Sequence, residues 1–126
     1  MGKKDKINSL PTQEDVAQYQ MLYPMIVADL TEVKSLSSKK PDGSLNKLKV
    51  DMINRKLEKI RNILASEPTV EFLDILDSDS LPSNSDAVFI ILQFKTAMEQ
   101  FRTKYYTRDD DGDEHDFDQE WSWKTK

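Results

Sequence analysis

Apolar residues recur at alternating steps of three and four along three stretches of the chain, which is the spacing of one face of an α-helix. The most regular stretch predicts a helix that opens at Ser83, with Asp86 three residues later as in a capping box. Thr12 and Asp15 give the same signal before the first stretch. The three apolar faces are Val16, Tyr19, Tyr23, Ile26, Leu30 and Val33; Val50, Ile53, Leu57, Ile60 and Leu64; and Ala87, Ile91, Phe94, Met98, Phe101 and Tyr105.

Prolines and one glycine set the expected boundaries of these helices. Pro24 lies inside the first helix, so we expect a kink near Tyr23 or a division into two shorter helices. The stretch KKPDG is expected to end that helix, because Pro41 fixes φ for a turn and Gly43 tolerates a left-handed backbone. The second helix is then expected over residues 44–65.

A short apolar cluster after Pro68 has the spacing of about two further helical turns. Its members are Phe72, Leu73, Ile75 and Leu76. The sequence therefore predicts an all-α fold, a small helical bundle of three long helices and one short helix. The first turns of the last helix are apolar all round, which is compatible with burial at the centre of the bundle or with a homo-oligomer.

Aliphatic side chains are concentrated in the middle of the sequence. We therefore expect a flexible N-terminus at residues 1–11, a helical bundle domain at residues 12–106, and a disordered acidic tail that contains aromatic residues at residues 107–126. The tail holds eight Asp and Glu residues within positions 109–120. Such a density of like charge disfavours a compact structure.

The acidic stretch TRDDDGDEHDFD resembles a calcium-binding loop only in part. With Gly112 at the sixth position, Asp109 and Asp111 occupy ligand positions. The first, eighth and twelfth positions do not fit, because they hold Thr107, Glu114 and Asp118. The sequence therefore predicts no metal site, and it gives no sign of a cofactor.

The residues that most enzymes use for acid–base or nucleophilic chemistry are scarce. The chain has no cysteine, and its one histidine, His115, lies in the acidic stretch. Three glycines form no phosphate-binding loop. We therefore expect a protein that is not an enzyme.

The lysines near the start precede no long apolar run, and no stretch has the length of a membrane span, so a cytoplasmic protein with no membrane partner is expected.

Charge is divided unevenly between the two halves of the chain. Residues 1–66 carry 12 Lys and Arg against 8 Asp and Glu, whereas residues 67–126 carry 6 against 15. A basic helical hairpin of this kind is compatible with contacts to nucleic-acid phosphates, and also with a solvated face of ion pairs. The candidate phosphate contacts are Lys39, Lys40, Lys47, Lys49, Arg55, Lys56 and Lys59.

Aromatic residues near the C-terminus are the candidate contacts for a protein partner. Adjacent Tyr105 and Tyr106 point about 100° apart on a helix, so both cannot face one core. Trp121 and Trp123 either anchor a partner or fold back onto the domain. The partner-binding set is Tyr105, Tyr106, Phe117, Trp121 and Trp123.

Two functions follow from these features. The first is a non-enzymatic protein–protein interaction or assembly protein, an adaptor that acts through helix faces and its acidic tail, with a partner whose identity the sequence leaves open. The alternative is a nucleic-acid-associated protein in which the basic hairpin contacts phosphate and the acidic tail is autoinhibitory.

Overall fold

A computed structural model describes residues 10–108 and 120–126. Three α-helices account for most of them: α1 (Gln13–Lys39), α2 (Lys47–Ile63) and α3 (Asn84–Tyr105). A 3-10 helix (Pro68–Phe72) lies between α2 and α3, and two short strands, β1 (Tyr106–Arg108) and β2 (Trp121–Trp123), form an antiparallel pair. The all-α prediction is confirmed in general.

The predicted helix starts have the expected hydrogen bonds. The Thr12 hydroxyl accepts from the backbone N–H of Asp15 at 3.0 Å, and the Asp15 carboxylate accepts from the Thr12 N–H at 3.1 Å, which completes a capping box. The Ser83 hydroxyl accepts from the Asp86 N–H at 3.1 Å at the start of α3. Both caps satisfy donors that the first turn of a helix leaves free.

One hydrophobic core joins the three helices. Nearly every residue of the three predicted apolar faces is buried, and Tyr23 is the exception because it lies partly exposed beside α3. Helix α1 packs against both other helices and most extensively against α3, so that the N-terminal half of α1 meets the C-terminal half of α3. Of the two extensively packed pairs, α1 and α2 are consecutive in the sequence, whereas α1 and α3 are not.

Helix α1 continues without interruption through Pro24, so the alternative of two shorter helices is wrong. The turn after α1 also differs from the expectation. Gly43 lies outside the left-handed region, and its N–H donates to the Lys40 carbonyl at 3.1 Å. A side chain here would crowd Asn84, whose Nδ2 lies 3.3 Å from the place of a β-carbon. Glycine avoids this crowding where the turn approaches α3.

The predicted short helix across residues 72–76 is wrong in its position. The 3-10 helix ends at Phe72, which is exposed, and Leu73 and Leu76 enter the core from an extended segment. The physical reason is the buried Asn54 of α2. Its amide donates to the Leu76 carbonyl at 2.8 Å and its side-chain oxygen accepts from the Leu76 N–H at 2.9 Å. The extended backbone is thus satisfied without helical hydrogen bonds.

The tail predicted to be disordered has two described ends, residues 107–108 and 120–126, and both are held by backbone hydrogen bonds. Strands β1 and β2 pair in register, Tyr106 with Trp123 and Arg108 with Trp121. Beyond β2, the Lys124 N–H donates to the Tyr105 carbonyl at 2.7 Å and the Lys126 N–H donates to the Pro11 carbonyl at 2.9 Å. Residues 109–119, which hold Phe117 and all but the first two residues of the acidic stretch compared with a calcium-binding loop, lie outside the described residues, as do residues 1–9.

Candidate functional site

The site is a chain of aromatic rings where α1, α3 and the strand pair meet. Neighbouring ring centroids lie between 5.0 and 6.0 Å apart, within the range of favourable aromatic pairs. The chain runs from buried rings to exposed ones. Its members are Phe101, Tyr105, Tyr19, Tyr23, Trp123, Tyr106 and Trp121.

Trp123 joins the core to the exposed rings. Its ring centroid lies 5.1 Å from that of Tyr19 in an edge-on arrangement, and 5.5 Å from that of Tyr106 across the strand pair. Because alternate residues of a strand share a face, Trp121 points to the same side as Trp123. Trp121 stacks on Tyr106 at 5.8 Å and remains 55% exposed. Trp123 therefore folds back onto the domain, whereas Trp121 is displayed to solvent.

Two adjoining depressions lie beside these rings, and we call them together the aromatic cleft. The first has a volume of about 570 Å³ and the second about 630 Å³, and they share Arg102, Thr103 and Tyr106. The other lining residues are Tyr19, Gln20, Tyr23, Pro24, Glu99 and Trp123 in the first, and Thr107, Arg108 and Trp121 in the second. Five of these twelve lining residues are aromatic and six carry polar or charged side chains, so the cleft combines apolar rings with hydrogen-bonding groups.

Charged groups of the cleft are held in place by their neighbours. The Arg102 guanidinium lies 4.5 Å from the centroid of the Tyr106 ring, which is a cation–π contact. Lys95 and the Tyr23 hydroxyl both donate to the Glu99 carboxylate, at 2.9 Å and 2.8 Å. These two hydrogen bonds lower the pKa of Glu99, so its negative charge is retained well into the acid range.

Tyr19 lies at the base of the cleft and donates its hydroxyl proton to the Met98 carbonyl at 2.9 Å. Burial raises the pKa of this hydroxyl above its usual range, and Tyr23 and Glu99 add to the effect while Arg102 opposes it. The folded protein thus holds the Tyr19 proton more tightly than the unfolded chain, whose tyrosines titrate near 10.0. This contribution to the free energy of unfolding is complete below the unfolded-state pKa and is lost as the pH rises from that value towards the higher pKa of the folded state.

We therefore expect the melting temperature to fall as the pH is raised above about 10, with a smaller fall for Tyr19→Phe. Circular dichroism melts between about pH 8 and pH 11 measure this difference. Tyr106→Phe is the matched control, since it removes a hydroxyl from a ring that is only half-buried. Equal pH slopes for the parent protein and Tyr19→Phe would contradict the assignment.

Tyr105, one of the predicted partner contacts, lies in the core and does not line the cleft. Its ring is 3% exposed, and its hydroxyl donates to the buried Glu67 carboxylate at 2.8 Å. Tyr106 is the residue of this pair that reaches the surface, but it lies in β1 rather than on the helix, so the helical separation of about 100° is not the reason. The sequence did not identify Arg102, whose ordinary helical position gives no signal of its own.

The seven predicted phosphate contacts fall into two groups. Lys47 pairs with Asp51 at 3.3 Å, Lys49 with Glu32 at 3.3 Å and Lys56 with Asp29 at 2.7 Å. Within the described part of the chain no carboxylate pairs with the other four. They are Lys39, Lys40, Arg55 and Lys59. The basic hairpin is therefore partly neutralised by its own carboxylates.

Among residues 10–108 and 120–126, no cluster of three or more His, Asp or Glu side chains has the arrangement to hold a metal ion. In the same residues, no helix combines the length and hydropathy needed to cross a membrane. The chain matches no protein-family model, and neither the curated proteins nor the solved structures yield a significant match.

Proposed function

We propose that this protein is a non-enzymatic interaction protein that binds an extended segment of a partner protein in the aromatic cleft. The observation that carries the proposal is Trp121, which is 55% exposed and stacked on Tyr106, with the Arg102 guanidinium on the same tyrosine ring. Trp, Tyr and Arg are the residues that dominate the binding energy of protein interfaces.

The rings of the cleft support one another before any partner binds. Trp121 rests on Tyr106, and Trp123 rests on Tyr19 and Phe101. Binding therefore orders few additional side chains, which lowers the entropic cost of forming an interface. Two adjoining depressions of about 570 and 630 Å³ give room for several side chains of a peptide.

The chemistry of the lining favours an extended peptide with proline or aromatic residues. Proline rings pack well against aromatic faces, and a polyproline-like chain loses little conformational freedom on binding. Such a chain leaves its carbonyl groups free of internal hydrogen bonds. Arg102 and Gln20 of the cleft carry donors that suit these carbonyls, whereas the Thr103 hydroxyl already donates to the Glu99 carbonyl at 3.0 Å.

The acidic sequence between β1 and β2 indicates that the partner of the cleft is basic. The connection from β1 to β2 contains seven Asp and Glu residues between positions 109 and 118. Such a connection favours a partner with Lys or Arg beside its docking segment, because opposite charges accelerate association. It also disfavours nucleic acid at the aromatic cleft, so the nucleic-acid alternative is confined to the basic hairpin.

Both tryptophans of the chain belong to the cleft, which makes intrinsic fluorescence a direct measure of occupancy. We expect a random peptide library displayed on phage to yield ligands rich in proline or aromatic residues with basic flanks. Synthetic versions of these ligands should shift tryptophan fluorescence. Trp121→Ala is expected to weaken their binding, measured by fluorescence polarisation, at least tenfold, or about 1.4 kcal/mol.

Phe89→Ala is the matched control for this experiment. Phe89 is also a large exposed aromatic residue, 66% exposed, but it lies on α3 outside the cleft. Its replacement should leave the affinity of the selected peptides unchanged. Peptides that bind Trp121→Ala as tightly as the parent protein, or that leave the tryptophan emission unaltered, would contradict the proposal.

A further inference from the structure

Three methionines lie partly exposed on adjoining faces of α1 and α2. Met21 is 54% exposed, Met25 43% and Met52 48%. They border a groove of about 280 Å³ above the buried Leu22, and we call it the methionine groove. Single exposed apolar residues are common on protein surfaces, whereas a group of them around one depression is a feature of binding sites.

The rim of the methionine groove is basic. Arg55, Lys56 and Lys59 line it together with the methionines. Lys56 pairs with Asp29 at 2.7 Å, whereas Arg55 and Lys59 have no carboxylate partner in the described part of the chain. Steps of three and four from Met52 to Arg55 and then to Lys59 put all three on one side of α2. Two unneutralised cations therefore flank an apolar surface.

We propose that the methionine groove is a second docking site, which binds an acidic amphipathic helix of a partner protein. Methionine is unbranched and polarisable, so three of them adapt to the apolar face of an inserted helix. Arg55 and Lys59 then meet carboxylates on the flanks of that helix. The required partner is opposite in charge to the one proposed for the aromatic cleft, so the two sites are independent.

The length of this face of α2, apolar at Leu48 and Met52 and basic at Arg55 and Lys59, fits a helix better than an isolated side chain. Leu48, which is 69% exposed, precedes Met52 by four residues and continues the same face of α2. From Leu48 to Lys59 the helix advances about 16 Å, at about 1.5 Å per residue. A partner helix of about three turns spans this distance and places apolar residues at positions i, i+4 and i+7 over the methionines.

The methyl groups of the methionines provide a direct signal for binding at the methionine groove. The chain has five, of which three border the groove, and Met98 is fully buried in the core. The full-length protein labelled with 13C at the methionine methyl groups is titrated with a synthetic amphipathic helix that carries leucines on one face and glutamates on the other. We expect the methyl signals of Met21, Met25 and Met52 to shift and that of Met98 to remain in place.

Charge reversal tests the basic rim. The double variant Arg55→Glu/Lys59→Glu is expected to weaken binding of the acidic helix at least tenfold, and binding to the parent protein should weaken as salt is added. Arg61→Glu/Lys34→Glu is the matched control, because it changes the net charge equally at exposed positions that do not line the groove. Circular dichroism verifies that both variants keep the helical content of the parent. Peptide binding at the aromatic cleft should be unaffected by either change.

Four results would overturn the proposal. Equal shifts with a helix that carries lysine in place of every glutamate would remove the role of the basic rim. Shifts produced by a short single-stranded DNA and not by the acidic helix would assign these cations to phosphate binding. Shifts that depend on protein concentration alone would make the occupant a second copy of the chain. Shifts caused by replacing the acids between positions 109 and 118 with amides would make it the chain's own acidic segment.

Discussion

Trp123→Ala is expected to lower the free energy of unfolding by about 3 kcal/mol, which is the scale for deleting a large ring from a packed site. Trp123 contacts Tyr19, Phe101 and Tyr106, so its loss opens a cavity at the end of the core and removes the main contact between β2 and the helices. Urea denaturation followed by far-ultraviolet circular dichroism measures the change.

The control for this experiment is Trp121→Ala, two residues away on the same strand. Trp121 is exposed and contacts Tyr106, so its removal should cost less than about 1 kcal/mol. The pair of variants separates the tryptophan that stabilises the fold from the one proposed to contact a partner. Equal stabilities of the two variants would contradict this division of roles between Trp121 and Trp123.

Asn54→Ala is expected to destabilise the protein by about 3 kcal/mol as well, for a different reason. The Asn54 side chain makes two hydrogen bonds to the backbone of Leu76, and both residues are buried. Alanine would leave one buried N–H and one buried carbonyl without partners, each at a cost of about 1 to 3 kcal/mol. The same urea denaturation measures this loss.

Amide hydrogen exchange adds a local test of Asn54. In Asn54→Ala the Leu76 N–H should exchange faster than in the parent protein by more than the global loss of stability explains. Asn62→Ala is the matched control, because Asn62 lies on the exposed side of the same helix. If Leu76 stays equally protected in Asn54→Ala, its backbone has another partner and the account of the extended segment is wrong.

The helices were predictable because their signal is local and repeated. Apolar spacing identified fifteen of the twenty buried residues of α1, α2 and α3, and the caps at Thr12 and Ser83 lie where the sequence placed them. The extended segment at residues 73–77 was not predictable in the same way. It depends on Asn54, which lies 22 residues from Leu76, and nothing in the local spacing of apolar residues records such a contact.

The strand pair escaped prediction because each strand has three residues, too few for an alternating pattern to be distinguished from chance. The sequence nevertheless identified three aromatic members of the cleft, Tyr106, Trp121 and Trp123. Arg102 was missed, since its role depends on Tyr106 beside it. The methionine groove was missed because Met21, Met25 and Met52 lie off the regular apolar faces, where single apolar residues are ordinary.

The extensive packing of α1 against α3 has a consequence for how the chain reaches this structure. Tyr19 and Met98, joined by a hydrogen bond, are 79 positions apart, so the largest helix interface forms only after a long loop has closed. Helical bundles whose neighbours are also sequential fold fastest, since their contacts are mostly local. We therefore expect the α1–α2 hairpin to assemble early, and docking of α3 onto it to set the folding rate.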